Sequence, residues 1–191
     1  MPANSAPTID ELKTLLNLKP HPEGGFFAET FRDPAQVHTI DPASTDKNAS
    51  TAIYFMLTND SLSHLHRLAV SSETWHHYLG GSVTIVELEP KPQMTEMTVT
   101  SPQYSLRTTR LGKDVLAGER LQHVVPPGTW FGSYPNFDEE GKYALVGCTV
   151  APGFEFADFE LAKREEMVKL VGGEGAADKQ TLKLVERMCA L

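Results

Sequence analysis

The sequence predicts an all-β sandwich or barrel, with helices added at the two ends of the chain. Short runs of β-branched and aromatic residues recur between residues 50 and 150, separated by glycine, proline and serine. Runs of this length and spacing are typical of antiparallel strands joined by short turns. Because no ten-residue helical block separates the runs, the pattern disfavours a parallel βαβ sheet.

A short helix is predicted near the start of the chain, after residues 1–7, which we expect to be disordered. In the segment TIDELKTLLNL, Thr8 and Glu11 have the spacing of a capping box. The expected apolar face of this helix consists of Ile9, Leu12, Leu15 and Leu16. A strand is then predicted from Phe26 to Phe31.

The polar segment 33–49, which contains two Asp-Pro steps, predicts a surface loop before the main β region. The run STAIYFMLT at 50–58 has little polar alternation, so we expect a strand that is covered on both faces. Further strands are predicted near residues 62–69, 73–79, 82–89, 94–100, 103–110, 120–125, 129–133 and 142–150.

The last part of the chain predicts helices, which divides the protein into a β domain (8–160) and a helical extension (161–191). In DFELAKREEMVKLVGG, Asp158 is the expected N-cap of a helix. The last segment, AADKQTLKLVERMCAL, places apolar residues at helical spacing on one face. These residues are Leu182, Val185 and Met188.

Composition and charge narrow the class of protein. The hydrophobic fraction of 40% and charged fraction of 22% are ordinary for a globular chain of 191 residues. The net charge of −8 and the scattered Lys and Arg disfavour nucleic acid and anionic membranes as partners. Cys148 and Cys189 lie outside any CxxC pattern, and we find no signal peptide or membrane-length apolar run, so the expected location is cytoplasmic.

The segment HLHRLAVSSETWHHYLG, residues 64–80, contains four of the seven histidines of the chain. Alternate residues of a strand share a face, so His64 and His66 point the same way, and Glu73 shares a face with Trp75 and His77. We expect His66 and Glu73 on neighbouring strands that face one enclosed hollow.

Two imidazoles and a carboxylate support two kinds of chemistry. They are the minimum for a divalent-metal site with open coordination positions. They are equally the minimum for an acid/base site, because a nearby carboxylate raises the pKa of an imidazole. The segment alone leaves both interpretations open.

The spacing of His64, His66, Glu73 and Gly80 resembles the first signature motif of the cupin superfamily, and PPGTW at 126–130 resembles the second. The segments HPEGGFFAETFR, LHRLAVSSETWHHYLG and PPGTWF resemble the small single-domain cupin type 5 group, whose members are largely of unknown function. The resemblance extends over roughly residues 10 to 170. It implies a double-stranded antiparallel jelly roll and a homodimer formed by exchange or abutment of N-terminal strands.

The resemblance departs from the metal-binding cupins at two places. Three or four residues usually separate the second His from the Glu, whereas here Arg67 to Ser72 intervene. The second motif normally supplies another His where this chain has Phe131, although His123 or His77 could substitute. A divalent metal is therefore disfavoured, its ligands are unknown, and no organic cofactor is expected.

A metal-free interpretation makes this region the polar wall of a small-molecule pocket, with His66 and Glu73 as the catalytic residues. The residues predicted to bind the ligand are Arg67, Trp75, His76, His77, Tyr78, Gln122 and Trp130. Metal-free sugar-nucleotide epimerases of the cupin fold imply proton abstraction next to a carbonyl, with His66 as base and Tyr78 as acid. The structural alternatives are an Arg67–Glu73 ion pair and tryptophans that serve packing alone.

Three functions follow as hypotheses. The first is an isomerase- or epimerase-like enzyme that acts on a polar, carbohydrate-like or carbonyl-bearing metabolite. The second is a protein that binds or senses such a ligand without turnover, and the third is a metal-dependent cupin oxygenase or isomerase. The sequence does not name the substrate.

Overall fold

A computed structural model describes residues 6–38, 46–91, 104–138, 142–172, 177 and 179–189. The predicted strand at 94–100 lies outside these residues, as does most of the expected disordered segment 1–7. No helix in the described ranges is both long and apolar enough to cross a membrane.

The chain is built mainly from strands, with helices near its two ends. The helices are α1 (Ile9–Leu15), α2 (Arg164–Leu170) and α3 (Lys179–Met188). The strands are β1 (Lys19–Pro20), β2 (Phe26–Arg32), β3 (Gln36–Val37), β4 (Lys47–Asn48), β5 (Thr51–Thr58), β6 (Ser63–Leu68), β7 (Ser72–Gly80), β8 (Val83–Pro90), β9 (Tyr104–Leu111), β10 (Gln122–Val125), β11 (Trp130–Pro135), β12 (Tyr143–Ala151) and β13 (Phe159–Leu161).

Two antiparallel sheets face each other. The six-stranded sheet has the order β1-β2-β5-β12-β7-β10, and the five-stranded sheet has the order β13-β6-β11-β8-β9. Strands β3 and β4 pair separately. This is the predicted all-β jelly roll with helices at both ends, and the prediction of fold class is confirmed.

The main core lies between the two sheets, where inward side chains alternate along each strand. Its largest members include Phe55, Trp75, Ile85, Leu111 and Phe131. A second core lies outside the five-stranded sheet, where residues of α2 and α3 such as Met188 pack on sheet residues such as Leu65 and Trp130. Because this helical layer covers that sheet, the outward residues of β6 and β11 are buried away from the barrel interior.

Helix α1 has the predicted capping box: the backbone N–H of Glu11 donates to Thr8, and the Glu11 carboxylate accepts from the backbone of Thr8. Leu12 is buried against the six-stranded sheet, as expected, whereas Leu15 is 73% exposed. At about 100° per residue, Leu15 lies at the edge of the apolar stripe and not at its centre. The prediction for Leu15 was therefore wrong.

The predicted N-cap at Asp158 was also wrong, because helix α2 begins after Lys163. Residues 159–161 form β13 on the edge of β6, so the chain is extended where the helix was expected. Asp158 instead forms an ion pair with the buried Lys47. Val185 and Met188 of α3 are buried as predicted.

Candidate functional site

A cavity of about 80 Å³ opens at one end of the space between the two sheets. Its residues come from the β1–β2 turn, from strands β2, β5, β6, β7 and β12, and from the segment after β12. They are His21, Glu23, Phe27, Glu29, Arg32, Thr51, Ile53, His66, Glu73, Cys148, Val150, Phe154, Glu155 and Phe156.

Glu23 is brought into the barrel by the turn HPEGG between β1 and β2. The turn closes on itself through hydrogen bonds between His21 and Gly24 and between His21 and Gly25. It is fastened to the start of β6, because the backbone N–H and the Nδ1 atom of His64 both lie 2.7 Å from the Glu23 carbonyl oxygen. The Glu23 carboxyl is buried and accepts a 2.9 Å hydrogen bond from the Ser63 hydroxyl.

His66 is held in one orientation by its own strand. Its Nδ1 lies 2.8 Å from the His64 carbonyl oxygen, which can only accept, so Nδ1 carries the proton. The basic lone pair of neutral His66 is therefore on Nε2, which lies 3.4 Å from Glu23 Oε2. The Phe131 ring covers one side of the imidazole, with 4.2 Å between the ring centroids.

Glu73 enters the cavity from β7 and is 8% exposed. The Cys148 thiol on the adjacent strand β12 and the Trp75 indole are its nearest donors, and both lower its pKa. Trp75 Nε1 is itself buried without a hydrogen-bond partner of ordinary geometry. The described hydrogen-bond partners of Glu73 are thus uncharged donors, and no Lys or Arg among the described residues pairs with it.

His21 stands among phenylalanine rings at the mouth of the cavity. Its imidazole meets Phe27 edge-on, with 4.6 Å between centroids, and stacks on Phe156 at 6.2 Å. The backbone N–H of Glu23 donates to His21 Nδ1 at 3.3 Å, so the proton of the neutral ring is on Nε2. Phe156 is 57% exposed and forms the outer edge of this aromatic mouth.

Arg32 closes the rim between β2 and the segment that follows β12. Its guanidinium lies 2.8 Å from a Glu29 oxygen and 2.6 Å from a Glu155 oxygen. It also donates to the Asn48 side chain and the Phe154 carbonyl. These contacts use its donors at the rim.

Burial makes the charged forms of the cavity residues unfavourable. It raises the pKa of Glu23 to about 8 and the pKa of Glu73 to about 7. It lowers the pKa of His66, and it lowers the pKa of His21 to about 4. At neutral pH the cavity therefore combines neutral imidazoles with carboxyl groups that are wholly or partly protonated.

The sequence and the fold are similar to those of known proteins. The family model described as "Cupin superfamily (DUF985)" matches residues 10–162. The chain belongs to this family. A relative from Saccharomyces cerevisiae, the uncharacterized protein YML079W, is 31% identical in an alignment of 181 positions that covers 87% of this chain and 83% of the yeast protein.

Two solved structures are similar over nearly the whole cupin chain. A hypothetical protein from Leishmania major is 33% identical, with a TM-score of 0.78, covering 97% of this chain and 100% of that one. Protein SO0799 from Shewanella oneidensis is 33% identical, with a TM-score of 0.74, covering 97% and 99% of the two chains.

The residues of this cupin do not fit the usual metal centre of the superfamily. Within the described ranges, no three His, Cys, Asp or Glu side chains are placed to hold a metal ion. The His66 Nδ1 atom is committed to a backbone carbonyl, and the ring of Phe131 occupies the wall beside His66. The donor set present is suited to proton transfer and hydrogen bonding.

The structure brings His66 and Glu73 into one cavity, but not from neighbouring strands. Strand β6 belongs to the five-stranded sheet and β7 to the six-stranded sheet. Residues 69–71 carry the chain from one sheet to the other and do not form a hairpin, so the two side chains approach from opposite walls. The expectation of adjacent strands was wrong.

Arg67 and Trp130 lie outside the cavity, contrary to the predicted ligand wall. Both face the outer side of the five-stranded sheet, where the guanidinium lies 4.6 Å from the centroid of the Trp130 ring. Arg67 pairs with Glu160 at 2.7 Å, so the alternative ion pair with Glu73 is also wrong. Strand alternation puts Arg67 and His66 on opposite faces.

The other predicted ligand contacts lie around the six-stranded sheet. His76 stacks on Tyr78 at 6.4 Å on the outer face, where Tyr78 covers Gly147. Gln122 is exposed on β10, opposite His76. His76, Tyr78 and Gln122 therefore do not line the cavity, and Tyr78 lies on the far face of the sheet from His66.

His77 and Trp75 also lie outside the cavity lining. His77 Nε2 lies 3.0 Å from the Gly81 carbonyl oxygen at the end of β7, where a register shift interrupts the alternation. The Trp75 ring packs edge-on against Phe55, 5.6 Å away, in the core beneath Glu73. Its indole nitrogen therefore lies near Glu73 but does not line the cavity.

The sequence did not predict several of the residues that line the cavity. Cys148 and Glu23 were not among the residues that the sequence predicted for the site. The available signals were the HPEGG segment itself and the alternating aromatics of GFEFADF after β12. Neither signal says that the two segments meet at the same end of the barrel.

Proposed function

We propose that this cupin binds a small polar metabolite in the cavity and transfers protons on it, as an isomerase or epimerase does next to a carbonyl group. The observation that carries the proposal is the convergence of His66, Glu73 and Glu23 in one enclosed space with an aromatic mouth. A base and an acid held within one closed pocket are the requirement for such chemistry.

The geometry supports distinct roles for these residues. His66 has its lone pair on Nε2, towards the cavity, and its low pKa keeps it available as a base at neutral pH. The pKa of Glu73, raised to about 7, leaves a substantial fraction of its carboxyl protonated at neutral pH. In the proposed step His66 removes a proton from the carbon next to a carbonyl, while Glu73 donates a proton to the developing enolate oxygen.

Solvent exchange tests this chemistry before any product is known. We expect the protein in D2O to catalyse loss of the α-proton signal from one member of a panel of hydroxyaldehydes, hydroxyketones and aminoketones, followed by proton NMR. His66→Gln should reduce the exchange rate by about 100-fold or more, since it removes the base.

His123→Gln is the matched control for that experiment. His123 pairs with the buried Glu87 at 2.7 Å inside the barrel but does not line the cavity. Its replacement should leave the exchange rate unchanged. A ligand that binds in the cavity but shows no exchange would instead support the binding or sensing function without turnover.

The homodimer and the cytoplasmic location expected from the sequence belong to the same proposal. Light scattering of the purified protein should give twice the 21.1 kDa chain mass. A value equal to that of one chain would contradict the expected homodimer.

A further inference from the structure

The charges and rings of the cavity restrict the ligand more narrowly than the proposed reaction does. The ligand of the proposed function would occupy this same cavity, so its preferred charge rests on that function. We propose that the cavity recognises a cationic amine group, so that its ligand is a small alkylammonium compound or carries such a group at the inserted end.

The first support is the excess of carboxyl groups. Glu23 and Glu73 lie inside the cavity, and Glu29 and Glu155 lie at its rim. The one cationic side chain among the described residues that line it is Arg32, which is already paired with both rim carboxylates. An anionic ligand would meet these carboxyl groups without a free positive partner, whereas a cation could pair with Glu23 and Glu73, which no Lys or Arg among the described lining residues neutralises.

The second support is the lack of a cationic partner for Glu73. Its carboxyl is nine-tenths buried and faces the cavity, and no Lys or Arg among the described residues pairs with it. Its side-chain hydrogen bonds come from the Cys148 thiol and the Trp75 indole, which are uncharged donors. An ammonium group supplies up to three strong donors, so it would satisfy Glu73.

The third support is the aromatic wall. Phe27, Phe154 and Phe156 line the cavity, and the last two rings meet at 82° with 5.0 Å between centroids. Ring faces attract cations in addition to excluding water. Aromatic walls combined with carboxyl groups form a typical binding site for an organic cation.

The volume of the cavity limits the size of the inserted group. A space of about 80 Å³ holds a group of a few heavy atoms, and not a complete sugar nucleotide. The remainder of a larger ligand would have to leave through the mouth beside Phe156.

Three probes of nearly equal size and different charge test the proposal: ethanolamine, ethylene glycol and glycolate. Binding is followed by the indole N–H signals in a ¹H–¹⁵N NMR titration of the whole chain, which has two tryptophans. Trp75 lies near Glu73 and reports on the cavity. Trp130 lies on the outer side of the five-stranded sheet and reports on non-specific effects.

We expect ethanolamine to shift the Trp75 signal with a dissociation constant about tenfold below that of ethylene glycol, as cation–ring and charge pairing require. Glycolate should cause no shift, and Trp130 should stay unchanged with all three. Glu73→Gln should weaken ethanolamine binding by about tenfold. Glu87→Gln, which changes a buried barrel carboxyl outside the cavity, should have no effect.

In the unmodified protein, binding of ethylene glycol as tight as or tighter than that of ethanolamine would overturn the proposal. Binding of glycolate would overturn it as well. Equal shifts of both tryptophans would also overturn it, because they would indicate attraction to the acidic surface. The proposed reaction can fail separately. If ethanolamine binds but no compound of the carbonyl panel exchanges its α-proton, the charge preference stands and the catalytic role is removed.

Discussion

Identical residue types acquire different properties in this molecule according to what each one contacts. His66 is held in one tautomer by its hydrogen bond to a backbone carbonyl, whereas His64 holds the HPEGG turn and His77 lies near the end of a strand. The glutamates divide in the same way, because Glu73 faces an enclosed space and Glu160 pairs with Arg67 near the surface. The chemistry available to a side chain therefore depends more on its burial and its partners than on its residue type.

Arg67 gives a prediction that separates the two faces of β6. Arg67→Ala should leave the affinity for any cavity ligand unchanged, because its guanidinium lies over Trp130 on the opposite side of the strand from His66. The loss of this contact and of the partly exposed pair with Glu160 should lower the free energy of unfolding by about 1 kcal/mol or less. Urea denaturation measures the stability, and the Trp75 titration measures the affinity. A large loss of affinity would contradict the observed placement.

At the residue level, the sequence predicted one pair of the site but not its surroundings. Strand alternation correctly placed His66 and Glu73 facing inward, since period 2 is a local property. The positions of Glu23, Cys148 and Phe154 depend on which sheet ends meet, and this is decided by long-range pairing that no local pattern contains. Arg67 and Trp130 were misassigned because the sequence does not show that a helical layer makes a second core, and Gln122 because the sequence does not show that its strand lies at the edge of a sheet.

Among the elements, the β1–β2 turn decides whether the site exists. Gly24 has φ +107°, and a Cβ at this position would come within 2.0 Å of the Leu62 carbonyl oxygen. The turn therefore packs backbone to backbone on the segment before β6, which is what places the Glu23 carboxyl beside His66. Another residue at this position would push the turn away.

Gly24→Ala should lower the free energy of unfolding by a few kcal/mol and weaken ligand binding, because it combines a strained φ with a backbone clash. Gly118→Ala is the matched control. Gly118 has φ +88°, yet a Cβ there meets nothing within 4 Å. Its cost should be about 1 kcal/mol, with the cavity unaffected. Thermal unfolding and the Trp75 titration compare the variants, and similar effects of the two would show that the close packing of the turn is unimportant.

Most described strands could be predicted from the sequence to within a few residues, because β-branched runs and turn residues are local signals. The prediction failed where tertiary pairing overrode a local preference. The segment from Asp158 contains good helix formers, yet its first residues pair with β6 and the helix begins only at Arg164. The connection at 69–71 likewise could serve as a hairpin or as a crossing between sheets, and only the complete barrel decides between them.

At the scale of the whole molecule, the two sheets bury polar side chains in the cavity, where their neutral forms are favoured. The six-stranded and five-stranded sheets exclude water from Glu23 and Glu73, while the rim ion pairs of Arg32 close one side. Such burial costs stability unless the groups remain uncharged or find a partner. The same burial that raises these pKa values should therefore make the stability of the whole fold depend on pH.

The direction of that dependence follows from proton binding. Glu23 and Glu73 have pKa values of about 8 and about 7 in the folded protein, against 4.5 in an exposed carboxyl. Between pH 7 and pH 8 the folded state therefore binds more protons than the unfolded state, so the stability falls as pH rises. The lowered pKa values of His21 and His66 act in the opposite direction, but mainly below pH 6.5, where unfolded histidines are charged.

We expect the free energy of unfolding to fall by about 1 kcal/mol from pH 7 to pH 8, measured by urea denaturation at constant ionic strength. Glu23→Gln should remove most of this fall, since Gln can still accept from Ser63 but does not titrate. Glu87→Gln, a buried carboxyl outside the cavity, should keep it. A stability that stays constant or rises across this interval in the unmodified protein would mean that the buried carboxyls are already ionised, and the acid role of Glu73 would then fail.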